Sequence, residues 1–288
     1  MDTLLDFWAA YESTVAFAAV NAFFALSTYA VMSTGLLSFA TVAFAACGGF
    51  LGVQLMASLH WPLLLVLPAS ALGGTAASVI VALVFLRLES HWLALASLAL
   101  ILITRILVLN APTLTGGVNG LGVPIQASLG LLAVLLAGAA LVFWRLSASW
   151  YGIAASAVRE DPAVASSIGI APKRLQLIAF AISGAMGGLG GVLLAMVLQF
   201  LSPETYYINI AFTMIAAVVL GGSYHWAGAI LGAFVFTALP VAMQALVPAI
   251  QDVASGLALL LIMILLPRGL VDPRAWRARA ASRAIERS

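Results

Sequence analysis

The sequence predicts an all-α, polytopic membrane protein with about nine transmembrane helices, within a range of eight to ten. Of its 288 residues, 64% are hydrophobic and 8% are charged, whereas a soluble domain carries roughly 25% charged residues. The mean hydropathy is correspondingly high, at +1.15. Apolar runs of about 20 residues, long enough to cross a bilayer, recur along the chain. We expect one transmembrane domain over residues 1–270 and a basic tail over residues 271–288.

Each predicted span occupies one apolar run, with boundaries placed to within a few residues. Two runs, 127–144 and 206–221, are short, so a tilted, broken or re-entrant helix is an alternative there. The nine predicted spans are 14–33, 36–58, 62–86, 91–110, 127–144, 175–200, 206–221, 226–248 and 251–267.

Lys and Arg predict the orientation, because cytoplasmic loops are enriched in these residues. Segment 145–174 has basic residues at both ends, and the tail after residue 267 carries six arginines. Four predicted spans separate the two, an even number that places both in the cytoplasm. The loop 111–126 and the N-terminus then lie outside. The first thirteen residues contain three acids and no base, so we expect no signal peptide there.

Segment 145–174 contains a short helix with clear end signals. Asp161 is a suitable N-cap, because its carboxylate can accept from the free amide groups of the first turn. Pro162 suits the first helical position, where no amide donor is needed. Gly169 can adopt the left-handed conformation that ends a helix. The predicted helix covers residues 162–168.

This helix is only about two turns long and places Val164 and Ile168 on one face. A helix of this length is unstable alone in water. We therefore expect it to dock, either on the rest of this chain or on a partner at the cytoplasmic surface.

The predicted outer loop, residues 109–124, is rich in glycine and in hydrogen-bonding side chains. Irregular backbone at membrane depth is tolerated only where it is buried in protein or lines a cavity. Two hypotheses are open, a re-entrant or pore-lining loop and an ordinary external turn. The candidate residues for a translocation path in this loop are Thr115, Gly116, Gly117, Asn119 and Gly120.

Three further polar residues are candidates for the same path. Arg105 lies inside a predicted span, where a charged group is costly and by default marks a pathway or a buried partner. Its long side chain can alternatively reach the outer interface, and both interpretations stay open. Glu204 and Asn209 face the outer side in the predicted topology.

Four glycines in the stretch SGAMGGLGG, residues 183–191, form two small-xxx-small pairs on neighbouring helix faces. Gly184 pairs with Gly188, and Gly187 pairs with Gly191. Small residues at this spacing let another helix approach closely. We predict a packing role for them and treat a hinge as the less favoured alternative.

The sequence contains no motif for nucleotide binding, catalysis or metal binding. It has no phosphate loop of the GxxxxGK[ST] type and no arrangement of nucleophile, base and orienting group. Its three histidines do not have metal-ligand spacing, and the net charge of +2 is too small to suggest nucleic acid. We expect no catalytic site, no metal site and no bound cofactor in this chain.

Seven stretches, spread over nearly the whole chain, form a characteristic set. They are LSFATVAF (37–44), LRLESHWLALASLALILITRIL (86–107), LTGGVNGLGVP (114–124), AVREDPAVASSIGIAPKRLQLIAFAISGAMGGLGGVLLA (157–195), SPETYYI (202–208), VVLGGSYHWAGAILGA (218–233) and PRGL (267–270). Together they resemble the permease subunits of branched-chain amino acid ABC importers, the LivM type within the wider LivH/LivM and ribose-permease group. The TGG-NGL block combined with REDP-A-S-GI is the specific part of this resemblance.

The resemblance implies a role for the short helix. In such importers a cytoplasmic coupling helix docks in a groove of the ATPase subunit, and it matches residues 159–169 here. The residues at the motif positions are Arg159, Glu160, Asp161, Ala163 and Gly169.

The resemblance also implies partners and a location. The partners are two ATPase subunits that hold ATP and Mg²⁺, a second permease that forms a heterodimer with this one, and an extracytoplasmic solute-binding protein. The implied location is the inner (plasma) membrane, and the lipid bilayer is the surrounding medium.

Two departures from the family pattern leave the solute open. The polar GQ-SLGHAAF pattern of the second span is TGLLSFATVAFAACGGF here, and LRG-YLAL is LRLESHWLAL. Branched-chain or related amino acids are the leading expectation, and an amide, urea, a sugar or a nucleoside is the alternative. A self-sufficient channel or secondary carrier is the rival from another class, and the absence of a run of intramembrane acids argues against a carrier. A membrane scaffold or sensor is a third, less attractive hypothesis.

Overall fold

The computed structural model describes residues 2–246 without a break and, after them, residues 256–257, 260, 264 and 269–271. Nearly all of residues 2–246 is helical. The helices are α1 (Asp2–Met32), α2 (Thr41–Leu59), α3 (Leu63–Phe85), α4 (Ser90–Asn110), α5 (Pro112–Thr115), α6 (Leu129–Ala148), α7 (Trp150–Glu160), α8 (Pro162–Ser167), α9 (Pro172–Leu198), α10 (Ile208–Gly221) and α11 (Trp226–Leu246). Two short strands, β1 (Leu121–Gly122) and β2 (Phe200–Leu201), pair in antiparallel register.

Seven helices among the described residues are long and apolar enough to cross a membrane: α1, α2, α3, α4, α6, α9 and α11. The predicted polytopic helical class is therefore confirmed, whereas the count of nine is not. The predicted span 206–221 forms α10, whose 14 residues rise about 21 Å against a hydrocarbon core of about 30 Å. The predicted span 251–267 lies mostly outside the described residues.

Two predicted boundaries differ from the structure for local reasons. The second span was placed from residue 36, but α2 begins at Thr41, because α1 ends in turns that include Gly35 at φ +83°. The fifth span was ended at residue 144, before the first charge. Instead α6 continues through Arg145 to Ala148, and it begins at the N-cap Ser128, whose side chain accepts from the Leu131 amide.

Helix α9 is the centre of the bundle and packs against α1, α2 and α3. Its glycines lie where these helices approach. A Cβ atom on Gly188 would lie 2.4 Å from the Ser70 carbonyl oxygen of α3, and one on Gly191 would lie 2.0 Å from the Ala45 carbonyl oxygen of α2. Such contacts leave no room for a side chain, so the helices pack backbone to backbone.

The other two predicted packing glycines divide in the same way. Gly184 shares the face of Gly188, and its added Cβ would lie 2.2 Å from Ser78 Oγ of α3. Gly187 lies on the face of Gly191, with Phe44 Cβ of α2 at 3.3 Å. Gly187 also faces Ser27 Oγ of α1 at 3.2 Å, and a Cβ atom on Gly48 of α2 would lie 2.3 Å from the Gly188 Cα atom. The four glycines therefore lie where α9 meets α1, α2 and α3.

The helix ends gather at two faces of the bundle. The first, here called the Arg159 face, contains α7, α8, the end of α1 and the α10–α11 turn. Residues 269–271 join it, because the Leu270 and Val271 amides donate to the Leu220 and Gly221 carbonyl oxygens at 3.0 and 2.9 Å. The second, the Arg105 face, contains the end of α4, residues 111–128 and residues 199–207.

Candidate functional site

Helix α8 has the end structure that its sequence predicts. Oδ1 of Asp161 accepts from the Ala163 and Val164 amides at 2.7 and 3.1 Å. Pro162 is the first helical residue, and Gly169 follows the helix at φ +83°. The helix ends at Ser167, one residue before the predicted end, so the local signals are confirmed.

Docking of α8 on its own chain uses a residue that the sequence analysis did not select. The side chain of Ala165 is 1% exposed and packs in a small cluster with Ala154, Val158 and Leu175 of the flanking helices. Val164 and Ile168 remain 60% and 68% exposed. The helix is therefore attached to the bundle through one small side chain and presents an apolar pair outward.

Helix α7, which immediately precedes α8, was missed in the sequence analysis. Its buried residues Ala154, Ala155 and Val158 repeat at helical spacing, while Trp150 and Ile153 are more than 60% exposed. The helical spacing of these buried residues is the feature of the sequence that could have predicted α7. The pattern is weak because two of the three buried side chains are alanines.

The five residues at the motif positions do not all face the same way. Glu160, Asp161, Ala163 and Gly169 are exposed at the surface of the Arg159 face. Arg159 is half-buried and points into the protein. Its Nη1 and Nη2 atoms donate to the carbonyl oxygen and to Oγ of Ser223, the latter at 2.8 Å. Its Cζ atom lies 3.9 Å from the ring centroid of Tyr224.

A cleft of about 720 Å³ opens beside Arg159. Polar side chains from α1, α7 and the α10–α11 turn line it, among them Tyr29, Tyr151 and His225. Burial raises the pKa of Tyr151 to about 12, so this phenol stays neutral in the physiological range. The cleft therefore combines neutral polar groups and apolar side chains with two charged residues, Arg159 and the exposed Glu160.

His225 ends the α10–α11 turn and caps α11. Its Nδ1 atom accepts from the Ala227 amide at 3.1 Å, which requires that ring nitrogen to be unprotonated. Burial lowers the pKa of His225, because a charged ring is disfavoured away from water. The histidine therefore acts as a neutral capping group.

On the opposite face, Arg105 pairs with Glu204. The Nη2 atom of Arg105 donates to Oε1 of Glu204, and its Cζ atom lies 4.9 Å from the ring centroid of Tyr207. The two side chains are 35% and 61% exposed. The structure brings two of the predicted path residues together, and their pairing was not foreseen. Asn209 is exposed on α10.

The loop between α4 and α6 is folded against the bundle. Thr115 is buried, and its hydroxyl donates to the Val108 and Ala111 carbonyl oxygens and accepts from the Gly117 amide at 3.2 Å. Gly116, Gly117 and Gly120 all have positive φ. A Cβ atom on Gly120 would lie 2.5 Å from the Leu201 carbonyl oxygen. The loop is thus held in one shape by β1–β2 pairing and glycine geometry.

Part of this loop is open to the surroundings. Asn119 is exposed, and a cleft of about 380 Å³ lies beside β1, lined by His60, Gly122, Gln199 and their neighbours. Among the described residues, no group of three or more His, Cys, Asp or Glu side chains is placed to hold a metal ion.

Comparison with known proteins identifies the family. The family model for the permease component of branched-chain amino acid transport systems matches residues 10–266. The high-affinity branched-chain amino acid transport system permease protein LivM of Escherichia coli K12 is 31% identical over 240 residues, covering 71% of this chain and 56% of that protein. Its Salmonella typhimurium counterpart is 32% identical with the same coverage.

More distant relatives include the autoinducer 2 import system permease protein LsrC of Klebsiella pneumoniae, 32% identical over 143 residues, 47% of this chain and 40% of that protein. The chain spans about half the length of the curated LivM relatives it matches. No solved structure matches it. With seven candidate spans and a family match over most of its length, the chain is a multi-pass membrane protein that belongs to the family of branched-chain amino acid transport permease subunits.

Proposed function

We propose that this chain is the transmembrane permease subunit of an ATP-driven ABC importer for branched-chain or related amino acids. The observation that supports this most is α8, a helix with both ends capped, attached to the bundle through Ala165 and presenting Val164 and Ile168 outward. An exposed apolar pair on a short, firmly held helix suits insertion into a groove of a partner protein.

The coupling role belongs to the segment 159–169. Closure of the ATPase subunits would move α8, and the packed cluster of Ala165 with α7 and α9 would pass that movement into the spans as a rigid body. Asp161 and Gly169 fix the ends of the helix. Glu160 and Ala163 are exposed at its N-terminal end, where they would contact the ATPase. The permease itself holds no ATP, because ATP and Mg²⁺ would bind on the ATPase subunits.

The orientation follows from the basic segments. Segment 145–174 lies on the Arg159 face, which we assign to the cytoplasm. The Arg105 face and the N-terminus then lie outside the inner membrane, and the C-terminal tail lies in the cytoplasm. The remaining partners are a second permease that completes the pathway as a heterodimer and an extracytoplasmic binding protein.

The translocation path would begin at the Arg105 face. Arg105 and Glu204 form its charged border, and the loop with Thr115, Gly116, Gly117, Asn119 and Gly120 forms its floor together with Asn209. A cysteine at Asn119, in a chain whose exposed Cys47 is replaced by alanine, should lose reactivity with a polar thiol reagent when the loaded binding protein docks. Unchanged reactivity would remove the loop from the path.

Another small polar solute is the alternative substrate. The similarity to an autoinducer 2 import permease favours keeping amides, urea, sugars and nucleosides as candidates. A ligand screen on the co-purified binding protein separates these from amino acids.

Reconstitution tests the proposal as a whole. The complex co-purified with its ATPases and binding protein should take up radiolabelled leucine into vesicles only with ATP and binding protein present. The permease chain alone, in matched vesicles, should show no uptake above empty vesicles. Full uptake by the permease chain alone would contradict the proposal.

A further inference from the structure

We infer that Arg159 is a positioning residue that ties the coupling helix to the α10–α11 turn, so that α10 and α11 move together with α8. This inference rests on the proposed function and adds to it. The resemblance to other permeases places Arg159 in the coupling motif, but in the structure its side chain binds Ser223 of the α10–α11 turn rather than extending beside the exposed Val164 and Ile168.

The contacts of Arg159 use the whole guanidinium group. Two of its nitrogens donate to two oxygens of Ser223, and its Cζ atom lies 3.9 Å from the ring centroid of Tyr224. Only arginine can make both contacts, because its planar guanidinium group donates from two fixed nitrogens while its face packs against an aromatic ring. The ammonium group of lysine is a point charge and lacks this geometry. The contact therefore fixes direction as well as distance.

The backbone of Arg159 contacts the end of another helix. Gly35 follows α1, and an added Cβ there would lie 3.1 Å from the Arg159 Cα atom. Arg159 also stands two residues before the N-cap Asp161. One residue thus contacts the end of α1, precedes α8 and binds the α10–α11 turn. We call these contacts the Arg159 junction.

The α10–α11 turn, which Arg159 binds through Ser223, is tightly packed and hydrogen-bonded. A Cβ atom on Gly221 would lie 1.8 Å from the Gly228 carbonyl oxygen, so α10 and α11 meet backbone to backbone at the turn. The Leu270 and Val271 amides donate to the two residues that precede it, and His225 caps α11 from within it. A displacement of Ser223 therefore displaces both helices rather than bending the turn.

The consequence concerns the ratio of transport to hydrolysis. If the junction transmits movement, weakening it leaves α8 docked and the ATPases active while α10 and α11 no longer follow. Uptake per ATP hydrolysed then falls. A residue that only stabilises the fold would instead lower the yield of assembled complex and change uptake and hydrolysis in proportion.

The test compares Arg159→Lys and Tyr224→Leu with two matched controls in the complete complex. Arg174→Lys makes the same chemical change at an exposed site of the same face, and Tyr224→Phe keeps the aromatic ring. ATPase co-purification, binding-protein-stimulated hydrolysis and uptake are measured in the same vesicles. Both test variants should keep the first two and lose roughly fivefold or more in uptake per ATP, the lower end of ordinary coupling between sites.

Three results would overturn the inference. They are normal uptake per ATP in both test variants, an equal loss in the two controls, and a loss of assembly without a change in the ratio. Failure of the proposed function has a different signature, because uptake by the unmodified complex would then be independent of ATP.

Discussion

Each face of the molecule holds an arginine in contact with a segment distant in sequence, and the two are held differently. Arg159 is half-buried, binds the neutral oxygens of Ser223 and stacks on Tyr224. Arg105 binds the carboxylate of Glu204, with both side chains substantially exposed. Exposed ion pairs contribute little free energy, typically 0–1 kcal/mol. The neutral contact of Arg159 thus fixes its side chain through several directional interactions, whereas the charged pair of Arg105 and Glu204 is open to solvent.

The loop between α4 and α6 and the short helix α8 are fixed in different ways. The loop depends on glycines at crowded positions, among them Gly116 and Gly120. Helix α8 depends on a side-chain cap at Asp161 and an uncrowded Gly169, beside which nothing lies within 4 Å of an added Cβ. Substitutions should therefore be costly in the loop through overpacking and milder at the ends of α8 through lost capping.

The largest effect is expected at the loop between α4 and α6. Gly120→Ala adds a Cβ 2.5 Å from the Leu201 carbonyl oxygen at a residue with φ +67°, so overpacking and backbone strain should lower the free energy of unfolding by about 2–4 kcal/mol. The midpoint of thermal unfolding in detergent measures this. Gly122→Ala is the matched control, because nothing lies within 4 Å of its added Cβ. Equal stability of the two variants would refute the account of a rigid loop.

A smaller effect is expected at α8. Asp161→Ala removes the acceptor for the Ala163 and Val164 amides and should cost about 1 kcal/mol of helix stability. If α8 docks on the ATPase as we propose, uptake should fall more than the unfolding midpoint does. Asp161→Asn is the control, since asparagine caps as well as aspartate. If Asn and Ala lower uptake equally, charge rather than capping is what matters at this position.

A smaller effect again is expected from the exposed ion pair. Glu204→Gln should change the free energy of unfolding by less than about 1 kcal/mol, and raising the salt concentration should reduce the difference further. Chemical denaturation of both proteins at two ionic strengths measures it. A loss well above 1 kcal/mol that is insensitive to salt would show that Arg105 is anchored as firmly as Arg159.

The smallest effect is expected from pH at the α10–α11 turn. Burial lowers the pKa of folded His225 below its usual value of 6.5, so the unfolded chain binds more protons between these two pKa values. The contribution of this cap to stability is therefore complete above about pH 6.5 and is lost as the pH falls toward the folded pKa. The unfolding midpoint of the unmodified protein relative to His225→Asn, compared at pH 7.5 and 5.5, should show it. A midpoint difference that does not shrink at pH 5.5 would contradict the neutral cap.

Local signals in the sequence predicted local structure well. Asp161, Pro162 and Gly169 determine the conformation of the backbone at or next to their own positions, so the ends of α8 could be predicted from these residue types. The spanning helices could be predicted from the apolar runs. The predicted start of α2 is wrong because the apolar run begins at residue 36, whereas the backbone turns at Gly35 and becomes helical only at Thr41.

Contacts between distant segments could not be predicted. Arg159 and Ser223 are 64 residues apart, and Arg105 and Glu204 are 99 apart. The sequence analysis named Arg159, Arg105 and Glu204 as candidates, but a pairing between residues so far apart depends on the tertiary packing of the helices that carry them. The β1–β2 pairing has the same origin, because two-residue strands carry no periodic signal.

The central claim is that α8 meets an ATPase through Val164 and Ile168, and crosslinking tests it most directly. In the complete complex with Cys47 replaced by alanine, Ile168→Cys should crosslink to the ATPase subunit through a short thiol-reactive reagent. Asn119→Cys, exposed on the opposite face, should not. The account predicts a permease–ATPase adduct from position 168 whose yield changes with ATP. An adduct from position 119 but none from position 168 would contradict it.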